Sequence, residues 1–494
     1  MRILYIDIDA LRPDHLGCYG YHRNTSPVVD SIAREGARFK NVYTSDAPCL
    51  PSRSALFSGR FGIHTGVVDH EGVAADFFIE GPGRPFRSTL GDTSWMQSLR
   101  NQGFRTVSIS PFAERHSAWW YYAGFSEVHN TGKRGAEVAD DVEPVVTDWL
   151  ERNGGRDNWF MHLNVWDPHN PYRTPVEFTN PFENDPLPEW LTGDVRLEHW
   201  NGVGPESAQD AAEFQELMRV GMEKHPWRKF PRQPIGMDSM QQVRRMFDGY
   251  DTGVRYADHL VGKVVSLLKR KGIYDDTAII ISSDHGEDLG ELNVYACHHT
   301  ADEAVCHIPL IIRWPGVTDA VAGKGFDAFH SHVDFAATVL ELAGGKTPAN
   351  WDGIGFADSL RQGADQGREY LVTSQMTGTC QRAVRFDDYL CIRTYHDGYH
   401  GYPEWMAFDV TKDRHMRHDL ATDRPDLVDK AGKMLDEWHA DAMRRATHPV
   451  DPMETVLRAG GGSHVSGYLP AYLKRLRETG RAHWAEKLGK KYPV

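Results

Sequence analysis

The chain has 494 residues, 40% of them hydrophobic and 25% charged, with a formal net charge of −14. That length allows a large core plus a second unit, and the composition is that of a soluble globular protein. The acidic balance argues against nucleic-acid and anionic-membrane partners, which call for a basic footprint; a small anionic substrate stays compatible, since a local pocket can be positive on an acidic protein. No apolar run is long enough to span a bilayer.

The chain enters directly into a β-rich run, RILYIDID at 2–9, with no signal peptide before it, and so reads as cytoplasmic. Residues 27–35 have helical spacing, 37–44 read as a strand, and a helix opens at Pro51. Helical patterns follow at 92–102, 137–152, 240–271 and 330–343, and strands at 104–110, 158–166, 276–283 and 308–314. Apolar strands alternating with helices predict an α/β domain over 1–370, built on a large mixed, mostly parallel sheet flanked by helices. Residues 176–236 break the rhythm, being rich in Pro, Trp, Glu and Asp, and read as a substrate-side lid. Runs at 382–386, 389–395 and 405–410, with a helix at 425–445, predict a smaller α+β subdomain over 371–445 containing an antiparallel sheet. Within the tail 446–494, residues 467–494 form a basic amphipathic helix with no evident place in a core, which reads as a docking or homo-oligomer contact rather than a membrane anchor.

Chemistry concentrates in Ala47-Pro48-Cys49-Leu50-Pro51-Ser52-Arg53. Proline is favoured in a first helical turn, whose free N–H groups and dipole attract anions, so Cys49 would sit at the mouth of an anion-binding helix with Arg53 one turn on. Ligands of open α/β sheets gather at carboxyl ends of strands. Asp7 and Asp9 share a face of the first strand, and with Asp284 and His285 after the strand at 276–283 they could hold a hard divalent cation. Asp9 reads equally as a cap of the following turn, and His169, after the strand at 158–166, reads alone as structural. The six cysteines are scattered without C-x-x-C pairing, indicating neither a zinc site nor a disulfide framework.

Cys49-Leu50-Pro51-Ser52-Arg53, continuing to Gly59-Arg60, resembles the C-x-P-S-R signature of the sulfatase family, in the alkaline-phosphatase-like superfamily. Further similarity lies in Asp9-Ala10-Leu11-Arg12-Pro13-Asp14, Gly17-Cys18-Tyr19-Gly20, Asp284-His285-Gly286-Glu287, the segment 308–316 and His332-Val333-Asp334. The resemblance implies that a formylglycine-generating enzyme oxidises Cys49 to formylglycine, whose hydrate attacks an organic sulfate ester. It implies Ca2+ held by Asp9, Asp284, His285 and residue 49, with Mn2+ as the alternative that His285 favours. Arg53 would hold the formylglycine and the sulfate, and His169 would contact the sulfate and protonate the leaving oxygen.

Three departures stand out. Ala10 replaces the family's second adjacent Asp, so Asp7 is a candidate substitute ligand. The usual G-K-W-H segment is missing, and Arg115 and His116 are candidates for its lysine and histidine roles. A later lysine is replaced within Cys297-His298-His299-Thr300, where His299, then His298, are the candidate substrate contacts and a surface pair is the plain alternative. The resulting expectation is a sulfuric ester hydrolase acting on a sulfated carbohydrate, with a phosphonate monoester or phosphodiester hydrolase as the alternative. Trp119, Trp120, Tyr121 and Tyr122 would either stack on a sugar or pack the lid onto the core.

Overall fold

The computed structural model describes residues 1–83 and 87–492. In chain order its strands are β1 (Arg2–Ile8), β2 (Ala37–Tyr43), β3 (Asp46–Ala47), β4 (Arg105–Ile109), β5 (Glu127–His129), β6 (Trp159–Val165), β7 (Thr277–Ser282), β8 (Asp288–Leu289), β9 (Tyr295–Cys297), β10 (His307–Arg313), β11 (Gly325–Ser331), β12 (Tyr370–Gln375), β13 (Cys380–Phe386), β14 (Tyr389–His396) and β15 (Trp405–Asp409). Eight of them form one sheet in the order β11-β2-β10-β7-β1-β6-β4-β5. β1 pairs in parallel with β6 and β7, while β10 runs antiparallel to both its neighbours. This is the expected mixed, mostly parallel sheet.

The period-2 alternation of β1 explains its central place. Leu4, Ile6 and Ile8 enter the core on one face, and Ile3 and Tyr5 enter the core on the other. Each such buried aliphatic side chain contributes about 1.5–3 kcal/mol. Helices Ala139–Asn153 and Met240–Arg270 cover the first face; helices Cys49–Ser58 and His332–Leu342 cover the second. Asp7 continues the Ile3–Tyr5 alternation, so it points at the helix that begins with Cys49.

A second sheet, β15-β14-β13-β12-β3, is the predicted C-terminal meander extended by two strands. β12 joins β3 in parallel, with Gln375 opposite Ala47, so this sheet reaches to within two residues of Cys49.

The structure differs from the sequence expectations in three places. The helix expected from Pro51 begins at Cys49. Pro51 fits inside its first turn because those N–H groups have no helical acceptor. The insertion carries helices Gly193–Trp200 and Phe214–Val220. The tail is two helices, Leu469–Glu478 and Ala482–Lys491, parted at Gly480 with φ 77°. The tail does have a place in a core: Leu469, Tyr472, Leu473, Leu476 and Leu488 pack with Val203 and Phe214 of the insertion. Residues 493–494 of that tail lie outside the described residues. Among the described residues no helix is long and apolar enough to cross a membrane.

Candidate active site

Every residue of helix Cys49–Ser58 is buried, so the helix sits wholly inside the protein with Cys49 as its first residue. One turn on, Arg53 reaches the ends of two neighbouring strands. Its Nε donates to Asp7 Oδ2 at 2.9 Å, its Nη1 donates to Asp284 Oδ2 at 2.7 Å, and its Nη2 lies 2.9 Å from Asp9 Oδ2. One guanidinium thus faces three buried carboxylates, leaving a deficit of positive charge that a divalent cation would fill. Ser52 Oγ donates to the Asp284 carbonyl at 2.7 Å and ties the helix to the end of β7.

Burial pushes Asp9 up to about 6 despite Arg53, and Asp284 is likewise pushed up. Asp7 goes the other way. Arg53 and the His162 ring, whose Nε2 lies 2.9 Å from Asp7 Oδ2, outweigh its burial and hold it low. His162 is braced in turn by Tyr121, whose hydroxyl lies 2.6 Å from its Nδ1.

The Cys49 thiol lies 3.1 Å from His285 Nε2 and 3.9 Å from His169 Nε2. Asp9 Oδ1 stands 3.8 Å from His285 Nε2 and 3.9 Å from His169 Nε2. His285 Nδ1 is 2.7 Å from the Gly286 carbonyl, an acceptor, so it carries the proton and turns the Nε2 lone pair toward Asp9 and Asp284. Burial lowers the His285 and His169 pKa values, keeping both rings neutral.

Asp9, Cys49, Asp284 and His285 place one donor atom each within 4.8 Å of all the others. Neither oxygen of the buried Asp9 takes part in a well-formed hydrogen bond among the described residues. A buried carboxylate that has an ion pair with Arg53 but no well-formed hydrogen bond, beside two further donors, fits a divalent cation, and two carboxylates with one imidazole suit a hard or borderline one.

The predicted residues are therefore sorted by the structure. Cys49, Arg53, Asp9, Asp284, His285 and His169 come together. His298 joins them, its ring centroid 4.5 Å from that of His285 and 5.0 Å from that of His169. His299 turns away, with Nδ1 directed to Cys297 and Glu206. Asp7 lies outside the donor cluster and acts as a counter-ion behind Arg53. At position 10 the chain turns with φ 57°, and the Ala10 N–H, not a side chain, meets Asp284 Oδ1 at 3.3 Å. Arg115 lies exposed over the Trp166 ring, 5.4 Å from its centroid, close enough for its charge to act on Asp9, Cys49 and His169. His116 lies beside His70, with ring centroids 5.0 Å apart.

Of the four aromatics, Trp120 and Tyr121 belong to the core, whereas Trp119 and Tyr122 are partly exposed. Sequence reasoning missed His162, His70 and His464. His70 Nδ1 lies 3.2 Å from His464 Nε2, and His464 continues to His299 with ring centroids 4.7 Å apart. The signal for His464 was the run Gly460-Gly461-Gly462: a Cβ at Gly462 would meet the Thr377 carbonyl oxygen at 2.1 Å.

The large mixed, mostly parallel sheet flanked by helices, with a second antiparallel sheet, is an alkaline-phosphatase-like fold. Residues 2–345 match the family model of sulfatases, and the chain belongs to the sulfatase family. It is 26% identical to iduronate 2-sulfatase of Homo sapiens over 387 residues, covering 69% of this chain and 65% of that protein, just under two thirds of its length. Among solved structures, one in complex with its substrate D-glucosamine-2-N,6-O-disulfate superposes with TM-score 0.68 at 18% identity, covering 92% of this chain and 99% of that one. The phosphonate monoester hydrolase of Silicibacter pomeroyi superposes with TM-score 0.66 at 19% identity, covering 91% and 96%. At those identities the two structures share the fold.

Proposed function

We propose that the protein hydrolyses an organic sulfate monoester, on a sulfated carbohydrate, through a formylglycine made from Cys49. The observation that carries this reading is the Cys49 thiol at the first turn of a buried helix, 3.1 Å from His285 within the Asp9–Asp284–His285 donor set. Burial and the Asp9 and Asp284 carboxylates push the thiol pKa up, so at neutral pH it is not a thiolate nucleophile. Oxidised to formylglycine, residue 49 would supply a hydrated-aldehyde hydroxyl to attack sulfur, and a Ca2+ ion on Asp9, Asp284 and His285 would draw charge from the sulfate oxygens.

The other residues bind, orient and move a proton. Arg53, held on three sides, cannot swing and presents a fixed positive charge beside residue 49. His298 and Arg115 add donors for the anion. His169 Nδ1 is fixed by the Asn170 carbonyl, so Nε2 is the atom that would pass a proton to the leaving oxygen once the anionic ester has raised its basicity. Trp119 and Tyr122, partly exposed, would be the apolar faces for a sugar ring. The disulfated glucosamine bound by the structural neighbour supports a carbohydrate substrate.

A second reading is favoured by His285 in the donor set and by the phosphonate hydrolase neighbour. On it, the same residues cleave a phosphonate monoester. Two measurements decide. Peptide mass analysis after expression with a formylglycine-generating enzyme should find Cys49 converted. Matched aryl sulfate and aryl phosphonate esters should then show the sulfate cleaved faster, with sulfated mono- and disaccharides refining the choice. An unconverted thiol, or a faster phosphonate, overturns the sulfatase reading.

A further inference from the structure

Next to His298, whose ring centroid is 5.6 Å from that of His299, a second group of donors closes on itself. His299 Nδ1 lies 3.3 Å from Cys297 Sγ and 3.4 Å from Glu206 Oε2. All three donor atoms lie within 4.8 Å of one another. The residues are 3%, 5% and 2% exposed respectively. Donors bonded at about 2.0–2.3 Å to a tetrahedral ion stand roughly 3.3–3.6 Å apart, which is the spacing His299 shows. Glu206 Oε1 accepts the Phe214 N–H, while Oε2 accepts no hydrogen bond among the described residues although it is buried and aimed at the imidazole. The loop is braced for this placement: Thr379 Oγ1 donates to the His299 carbonyl at 2.8 Å, and glycine at 378 is required because a Cβ there would meet the His299 Cβ at 2.4 Å.

We propose that Glu206, Cys297 and His299 form a second metal site, for a zinc-class divalent cation, that clips the insertion 176–236 to the loop following β9. The two sites differ in chemistry. Asp9, Asp284 and His285 offer mainly hard oxygen donors, whereas one sulfur, one nitrogen and one oxygen suit a borderline-soft ion. Binding displaces the proton of the Cys297 thiol and that of the Glu206 carboxyl to solvent, so a dication meets two negative charges and the buried site is neutral. The clip continues a backbone link already in place, the Tyr295 N–H donating to the Glu206 carbonyl at 2.9 Å. Three protein donors leave one tetrahedral position for a water or a substrate oxygen. The site does not depend on sulfate chemistry at Cys49.

The test uses the full chain. Elemental analysis after dialysis should find zinc-class metal equimolar with protein. Titration of the stripped protein with Co2+ should raise a saturable thiolate-to-cobalt charge-transfer band, lost in Cys297→Ala and kept in Cys49→Ala. Glu206→Gln, which keeps the thiol and nearly the same shape, should weaken Co2+ binding roughly tenfold or more. No band in the wild-type protein, a band surviving Cys297→Ala or lost in Cys49→Ala, or unchanged affinity in Glu206→Gln overturns the proposal.

Discussion

Arg53 shows how one residue can serve fold and site together. Its fork spans Asp7, Asp9 and Asp284, which a point charge on a flexible stem cannot do. Arg53→Lys is expected to lower kcat about 100- to 1000-fold, read on an aryl sulfate. Arg53→Ala, leaving three buried carboxylates uncompensated, is expected to cost about 3–5 kcal/mol in urea denaturation. The same carboxylates set a pH dependence. Asp9, normally near 3.8, is raised to about 6, and Asp284 is raised with it, so the folded protein binds protons the unfolded chain has released. Stability of the metal-stripped protein therefore falls as pH rises from about 4 through 6. Cation binding needs both groups ionised, so Ca2+ affinity should rise over the same window; calorimetric titration at pH ~5 and ~7.5 should give the weaker Kd at acid pH. Equal values would contradict the shift.

At the scale of elements, helix Cys49–Ser58 is the piece whose ends matter most. Its first residue is the Cys49 proposed to carry the chemistry, and its last turn closes on Gly59 at φ 70°, where a Cβ would come 2.0 Å from the Trp351 ring. Gly59→Ala combines a left-handed alanine with a clash and should destabilise by about 2–4 kcal/mol in denaturant unfolding. The helix was legible because proline and arginine spacing marked its start. Its origin at Cys49 was less so, since proline tolerates several first-turn positions. The short strands β3, β8 and β9 were not legible: two or three residues carry no periodicity, and only pairing defines them.

Over the whole molecule, the tail closes the insertion onto the body. Asp210 of the insertion is fully buried and pairs with Arg475 and with Arg481, the latter at 2.8 Å. Asp210→Ala leaves two cations without their partner and should cost about 3 kcal/mol, seen as a lower Tm and faster protease release of the last two helices. A variant as resistant as wild type would mean the apolar contacts alone hold the tail. The tail's amphipathicity was visible in sequence. Its partner was not, because an apolar stripe does not say whether another copy or a distant segment of the same chain will cover it.

What the sequence determined by itself was local and chemical. Period-2 and period-3.6 patterns set the strands and helices of the main sheet, and the Cys49–Arg53 spacing with the strand-end residues Asp9, Asp284, His285 and His169 marked one centre. What only the tertiary structure decided was the assignment of look-alike groups. Asp7 and Asp9 share a strand face and both meet Arg53, yet His162 takes up Asp7 while Asp9 faces the donor cluster. His298 and His299 are neighbours in sequence, yet the backbone directs one to Cys49's cluster and the other to Cys297 and Glu206. Glu206 comes near Cys297 only because the insertion folds back on the loop after β9. Such choices depend on contacts between segments far apart in the chain, and spacing along a sequence carries no information about them.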